Sequence, residues 1–147
     1  MIKIGLDAKL LYGQAGAQGA TEAKNVKDVS LSLEAGSADI TTRAANGWRV
    51  KKATLKEGSL EFEMNFDSED TFCTTVVNNF MSGTAMAFFV SDGAGNGLDA
   101  DFTLTNCSME QPLEEAITLS ITAEPTITGG TNSRAPSWKT ASAPAAG

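Results

Sequence analysis

The chain has 147 residues, 41% of them apolar and 20% charged, with a net charge of −7, two cysteines and no histidine. That length suits one hydrophobic core, and the negative charge disfavours attachment to phosphate backbones or anionic membranes. Without imidazole, the commonest general base and a frequent metal ligand are both missing, so a structural or binding role is favoured over catalysis, with no catalytic residue, cofactor or metal expected.

Met1–Asp7 shows no long apolar run ahead of a small-residue cleavage site, and no window approaches the roughly 18 apolar residues of a membrane span. A soluble protein made in a cytoplasm is expected. Residues 1–23 combine the short apolar run Leu10, Leu11 and Tyr12 with Gly13, Gly16 and Gly19, and predict a strand followed by a loose arm. From Lys24 to Glu34 the pattern alternates, with Val29, Leu31 and Leu33 on one face and Asp28, Ser30, Ser32 and Glu34 on the other, as in a strand with one face in the core. Asp39–Arg43 is short and β-leaning, and Asn46 with Gly47 supplies a turn into Trp48.

Trp48 to Phe66 is read as two long strands joined at Lys56–Gly58. The second places Leu60, Phe62, Met64 and Phe66 on one side and Glu61, Glu63, Asn65 and Asp67 on the other. Asp67 or Ser68 is placed to cap a helix beginning at Glu69–Asp70, along which Phe72, Val76, Val77, Phe80 and Met81 recur at helical spacing until Gly83. Ala85–Ser91 and Leu98–Ser108 predict a hairpin around the glycine-rich turn Asp92–Gly97, and Ile117, Leu119 and Ile121 a last strand before Pro125. The order predicts a mainly β domain over residues 1–126, an antiparallel β-sandwich or part-barrel with one flanking α-helix and an extended loop. The Gly/Ser/Thr/Ala/Pro-rich residues 127–147 read as a flexible C-terminal arm.

Three chemical readings fail on the residues. Asp92, Asn96, Asp99 and Asp101 could collect calcium, but a twelve-residue calcium-loop frame started at Asp92 puts Thr103 where a bidentate glutamate is needed. Glu61 and Glu63 oppose an apolar face, which makes them a solvated or pore-facing strand side rather than an acid–base pair. Cys73 and Cys107 lack a CxxC partner and read as reduced, core-facing thiols. One basic concentration remains: Arg43, Arg49, Lys51, Lys52 and Lys56, grouped around Trp48. In an acidic chain such segregation suits head-to-tail contact between copies, and suits a solvated strand pair equally well.

Asn25–Leu33 (NVKDVSLSL), the loop Gly36–Arg43 (GSADITTR), Gly47–Trp48 and Ser59–Phe66 (SLEFEMNF), followed by the helix and the later strands in the same order, resemble the major tail tube proteins of long-tailed bacteriophages and related phage-derived particles. The resemblance covers about residues 8–126 and is diffuse, densest between Asp39 and Trp48. It implies a subunit that self-assembles into six-membered rings, stacked as an acidic-walled conduit through which DNA passes without specific binding. It further implies tape-measure, tail-tip and tail-terminator proteins as partners, no membrane, and a place in a virion tail assembled in the host bacterial cytoplasm. On this chain the subunit contacts are expected at Asp39, Thr41, Thr42, Arg43, Trp48, Arg49 and Lys51 and in the two terminal arms, with Glu61 and Glu63 facing the lumen. An accessory or decoration β-sandwich that binds a host surface or carbohydrate is the alternative, and it requires an exposed aromatic platform.

Overall fold

The computed structural model describes residues 4–5, 8–127 and 134–140. The chain runs β1 (Lys9–Gln14), β2 (Thr21–Glu22), β3 (Val26–Asp39), β4 (Lys51–Asn65), α1 (Thr71–Ser82), β5 (Met86–Ser91), β6 (Gly97–Glu110), β7 (Thr118–Thr126) and β8 (Ser137–Lys139). All strand pairs are antiparallel and belong to one sheet of order β2-β1-β5-β6-β7-β4-β3, with β8 also on β6.

This single sheet curls over its own apolar face. Phe88 on β5 and Phe62 on β4 are separated by two intervening strands, which in a flat sheet would hold them about 14 Å apart. Their ring centroids lie 5.5 Å apart. Curling brings Leu60, Phe62 and Met64 of β4 against Met86 and Phe88 of β5, Ala100 and Phe102 of β6, and Leu119 and Ile121 of β7. Phe72, Cys73 and Val76 of α1 complete the cluster from the side. The expected sandwich or part-barrel is thus one bent sheet that does not close, since β2 and β3 remain its edges among the described residues.

The helix is bounded by its caps. Asp70, in extended backbone, accepts from the Phe72 amide at 3.3 Å, and Gly83 at φ 73° returns its amide to the Asn79 and Phe80 carbonyls. The cap is Asp70, two or three residues beyond the expected Asp67 or Ser68, because Asp67 spends its carboxylate on the Glu69 amide at 2.9 Å. Asp70 precedes the first turn, which itself holds no acidic residue.

Two further expectations are corrected. Residues 51–65 form one strand, with Gly58 inside it opposite Leu33. A Cβ at Gly58 would lie 2.8 Å from the Leu33 Cδ2, so this glycine marks a close approach of neighbours rather than a turn. The apolar face read on residues 24–34 is also mostly uncovered. Leu31 is half-buried against the core, while Val29 and Leu33 are exposed, because β3 is an edge strand and its far half leaves the body with β4. Of the expected terminal arms, residues 1–3, 6–7, 128–133 and 141–147 lie outside the described residues; Ser137–Lys139 pair with β6.

Candidate functional site

Two surfaces stand out, both on the β3–β4 hairpin. The first is its far end. The two strands stay paired to Asp39 and Lys51 across a register shift between Ala35 and Ser37, and the loop beyond is closed by local hydrogen bonds. The Ile40 amide donates to the Val50 carbonyl at 2.9 Å, and the Val50 amide to the Thr41 hydroxyl oxygen at 2.8 Å. Thr42 leads into the 3-10 turn Arg43–Ala45, after which Asn46 (φ 53°) and Gly47 (φ 84°) take the left-handed conformations that the Asn-Gly pair anticipates. Hydrogen bonds from the Thr41 side chain and amide hold the Asp39 carboxyl below the usual carboxylate range.

Asp39, Thr41, Thr42, Arg43, Trp48, Arg49 and Lys51 are therefore brought together at one exposed end of the molecule. Trp48 is 77% exposed and Leu55, further down the hairpin, 87%. From Ala35 to Lys56 the chain carries five basic residues and one acid, a net +4 against −7 for the whole, which leaves −11 elsewhere.

The second surface is the outward face at the hairpin's root. Register places Asp28 opposite Glu63, Ser30 opposite Glu61, Ser32 opposite Ser59 and Glu34 opposite Glu57, while β7 adds Ser120 beside Glu63 and Thr122 beside Glu61. Continued one residue past the last β4–β7 pair, the alternation puts Glu124 on the same face. The outward positions over 28–34, 57–63 and 120–124 thus hold carboxylates and hydroxyls with no lysine or arginine. Asp28, Glu61 and Glu63 share one shallow depression. Directly opposed like charges weaken an isolated sheet, so Asp28 and Glu63 cost the subunit stability. A wall of this kind repels phosphate and offers it nothing to hold.

Between the two surfaces β4 parts from β7. Their pairing ends at Leu60 with Ala123, which leaves one edge of β4 unpaired from Lys51 to Ser59 among the described residues. The fork so formed has a volume of about 600 Å³ and is walled on its far side by Pro136, Ser137 and Trp138.

Trp138 comes from a segment that the sequence reading treated as loose, and its anchor was missed there. Arg134 donates from Nη1 to Asp99 Oδ2 at 2.6 Å and from Nε to Asp101 Oδ1 at 2.9 Å, and the Gly16 amide donates to both Asp101 oxygens at 3.0 Å. Asp99 and Asp101 are 1% and 0% exposed, on the opposite face of β6 from Leu98, Ala100 and Phe102. Burial works against the Arg134 charge, but hydrogen bonds and attraction from the two carboxylates more than offset it, so its pKa is raised. The legible signal was the alternation Leu98-Asp99-Ala100-Asp101-Phe102, which puts two acids on a strand with no wet face allotted to them.

Among the described residues no group of acidic or cysteine side chains could hold a metal ion, and no helix is long and apolar enough to cross a membrane. Asp92 is committed to the turn, accepting from the Ala94 and Asn96 amides and the Asn96 side chain. Cys73 and Cys107 are free thiols, with burial raising both pKa values.

A curled open sheet with β2 and β3 as its edges among the described residues, a charged projecting hairpin and a one-sign face define the class: a mainly β protein built on one antiparallel sheet. No protein-family model and no curated protein matches the sequence. Solved structures match the fold. The tail of an empty gene transfer agent particle, refined with C6 helical symmetry, contains a chain of TM-score 0.71 and 15% identity, matched over 93% of this chain and 98% of that one. The virion of the native gene transfer agent particle matches at TM-score 0.71 and 16% identity over the same shares, and the SPP1 tail tube at 0.64 and 13% over 84% and 76%. The chain has the fold found in these phage-type tails, almost end to end.

Proposed function

We infer that this protein is the repeating subunit of a phage-type tail tube, self-associating into stacked six-membered rings whose bore carries DNA. The observation that carries this reading is the match of 93% of this chain to 98% of a gene transfer agent tail chain. The surfaces support it in physical terms. Lining a bore with the carboxylate and hydroxyl face, Glu61 and Glu63 at its centre, leaves passing phosphates without a partner. The exposed hairpin end and the unpaired edges of β3 and β4 are groups that a closed assembly would cover. In this reading the role is structural rather than enzymatic, the site of action is the virion tail, and tape-measure, tail-tip and terminator proteins meet the tube at its core and ends.

The accessory-module alternative needs aromatic rings side by side. Trp48 stands at the hairpin's end and Trp138 at its root, while the Tyr12 ring is occupied by Phe72 at 4.6 Å.

Electron microscopy of the purified protein at rising concentration and varied salt tests the proposal. Hollow rings or tubes of constant width are expected, and Glu61→Lys with Glu63→Lys should leave them intact while blocking DNA passage in the assembled particle. A protein that stays monomeric even with a tail-tip initiator present would overturn the tube reading.

A further inference from the structure

We propose that Asp101 makes one latch of two segments that reach β6 from opposite sides of the sheet, so that the β1–β2 loop and the C-terminal segment 134–140 dock and release together. The latch belongs to the single subunit and stands apart from the tube reading.

It covers a face of β5 and β6 that a sheet with one packed side would leave wet. Register sets Ala87 beside Asp101 and Phe89 beside Asp99, on the side away from Phe88, Ala100 and Phe102. All four are at most 2% exposed, and neither Ala87 nor Phe89 belongs to the central cluster. Two segments reach this second buried patch. The Gly16 amide, in the connection between β1 and β2, donates to both Asp101 oxygens, and Arg134 donates to the same Asp101 Oδ1 from Nε while its Nη1 takes Asp99. In the sheet order β1 and β2 lie on one side of β6, whereas β8, just after Arg134, walls the fork on the other.

A buried carboxylate shared in this way ties its donors to each other. Each segment keeps water away from Asp101, so withdrawing either one raises the local polarity and weakens the hydrogen bond that remains. Neither has much else to hold it on β6. The strand β8 makes three register pairs, and the backbone bonds of the loop, from Ala17 to Gln14 and from Ala20 to Tyr12, turn it back on β1. The latch is also unsaturated. Among the described residues no group meets Asp99 Oδ1 or Arg134 Nη2, both buried, and unmet groups of this kind lower the cost of opening. Opening uncovers Phe89 and frees the Gly97–Asp99 stretch of β6 from β8. Whatever engages the β1–β2 loop therefore changes what the fork side offers, and by linkage the reverse holds.

Native-state hydrogen exchange on the full chain at low urea tests the coupling. In the wild type the Gly16 amide and the β8 amides bonded to β6 should open with the same free energy and the same urea slope, a slope smaller than that of global unfolding. Arg134→Gln does not touch Gly16, yet it should lower protection of the Gly16 amide by at least about threefold together with that of β8. The reciprocal variant is Gly16→Ala, strained because this residue sits at φ 95°, and it should speed exchange in β8 by a similar factor. The proposal falls if the two segments open with different free energies in the wild type, or if either variant loosens its own segment and leaves the other at wild-type protection. Should Arg134→Gln fail to fold, Arg134→Lys, which keeps the charge but not the forked donors, is expected to show the same joint loss in smaller degree. If no variant folds, the wild-type comparison decides alone.

Discussion

Replacing Arg134 with glutamine isolates the cost of two buried carboxylates. In the folded chain Asp99 and Asp101 are 1% and 0% exposed, and Arg134 answers both, at 2.6 and 2.9 Å. Breaking a buried pair by removing one partner costs about 3–5 kcal/mol, because the remaining charge is stranded. Two features lower the figure here: the Gly16 amide still serves Asp101, and the Arg134 side chain is 20% exposed, so water can follow it out. Arg134→Gln should therefore destabilise the subunit by about 2–4 kcal/mol. With a urea m-value of about 2 kcal/mol/M, the unfolding midpoint falls by roughly 1–2 M. Adding Asp99→Asn and Asp101→Asn should return most of that loss, since amides of the same shape need no counter-charge. The reasoning is refuted if Arg134→Gln leaves the midpoint within about 0.2 M of wild type, or if the neutralised triple variant is less stable than Arg134→Gln alone.

The other expectations are smaller experiments. Gly97 sits at φ 154° with the Val90 carbonyl oxygen 1.7 Å from where a Cβ would stand, so Gly97→Ala should cost more than about 3 kcal/mol or abolish soluble expression, and a melting temperature near wild type would contradict this. Glu63→Gln removes a charge placed opposite Asp28 and should stabilise the isolated subunit by about 0.2–1 kcal/mol in urea unfolding; a loss would show that the two charges do not repel. Cys73 is 0% exposed and burial raises its thiol pKa, so iodoacetamide at mildly alkaline pH should reach Cys107 first and Cys73 only on unfolding. Because the folded thiol holds its proton more tightly than the unfolded one, its contribution to stability is complete below about pH 8.5 and declines as pH rises toward the folded value. Cys73→Ala should flatten that decline, and an unchanged slope would assign it to other groups.

Much of the body was legible because its signals are local. The β4 alternation from Leu60 to Met64, the helical spacing from Phe72 to the stop at Gly83, and the Asn46–Gly47 turn each follow from a few adjacent residues. What escaped depends on neighbours that sequence spacing does not reveal. Alternation on β3 reports two faces but not whether anything covers one, and Val29 and Leu33 proved exposed. Gly58 looks the same in a turn and in a strand pressed against Leu33. The residues expected at subunit contacts lie at one end of the hairpin, yet the fork beneath them was invisible, because its far wall is a segment of linker-like composition that Arg134 ties to two aspartates 33 and 35 residues earlier.

β4 belongs to two structures at once, and this fixes an order of events during synthesis. Its first partner, β3, is adjacent in sequence, so the hairpin can zip as soon as Asn65 is available, on a timescale of roughly microseconds. Its second partner, β7, begins at Thr118, more than fifty residues later, and pairs only with Leu60–Asn65. At a ribosomal pace of about 5–20 residues per second, the β7-side edge of Leu60–Asn65 waits for seconds without its strand partner, although α1 emerges sooner to cover Phe62 and Met64. A nascent strand edge left open that long invites pairing with another nascent chain. Lys51, Lys52 and Lys56 lie along the part of β4 that pairs with β3 on one edge and has no partner on the other among the described residues, where positive charge keeps unfinished chains apart until folded bodies can meet.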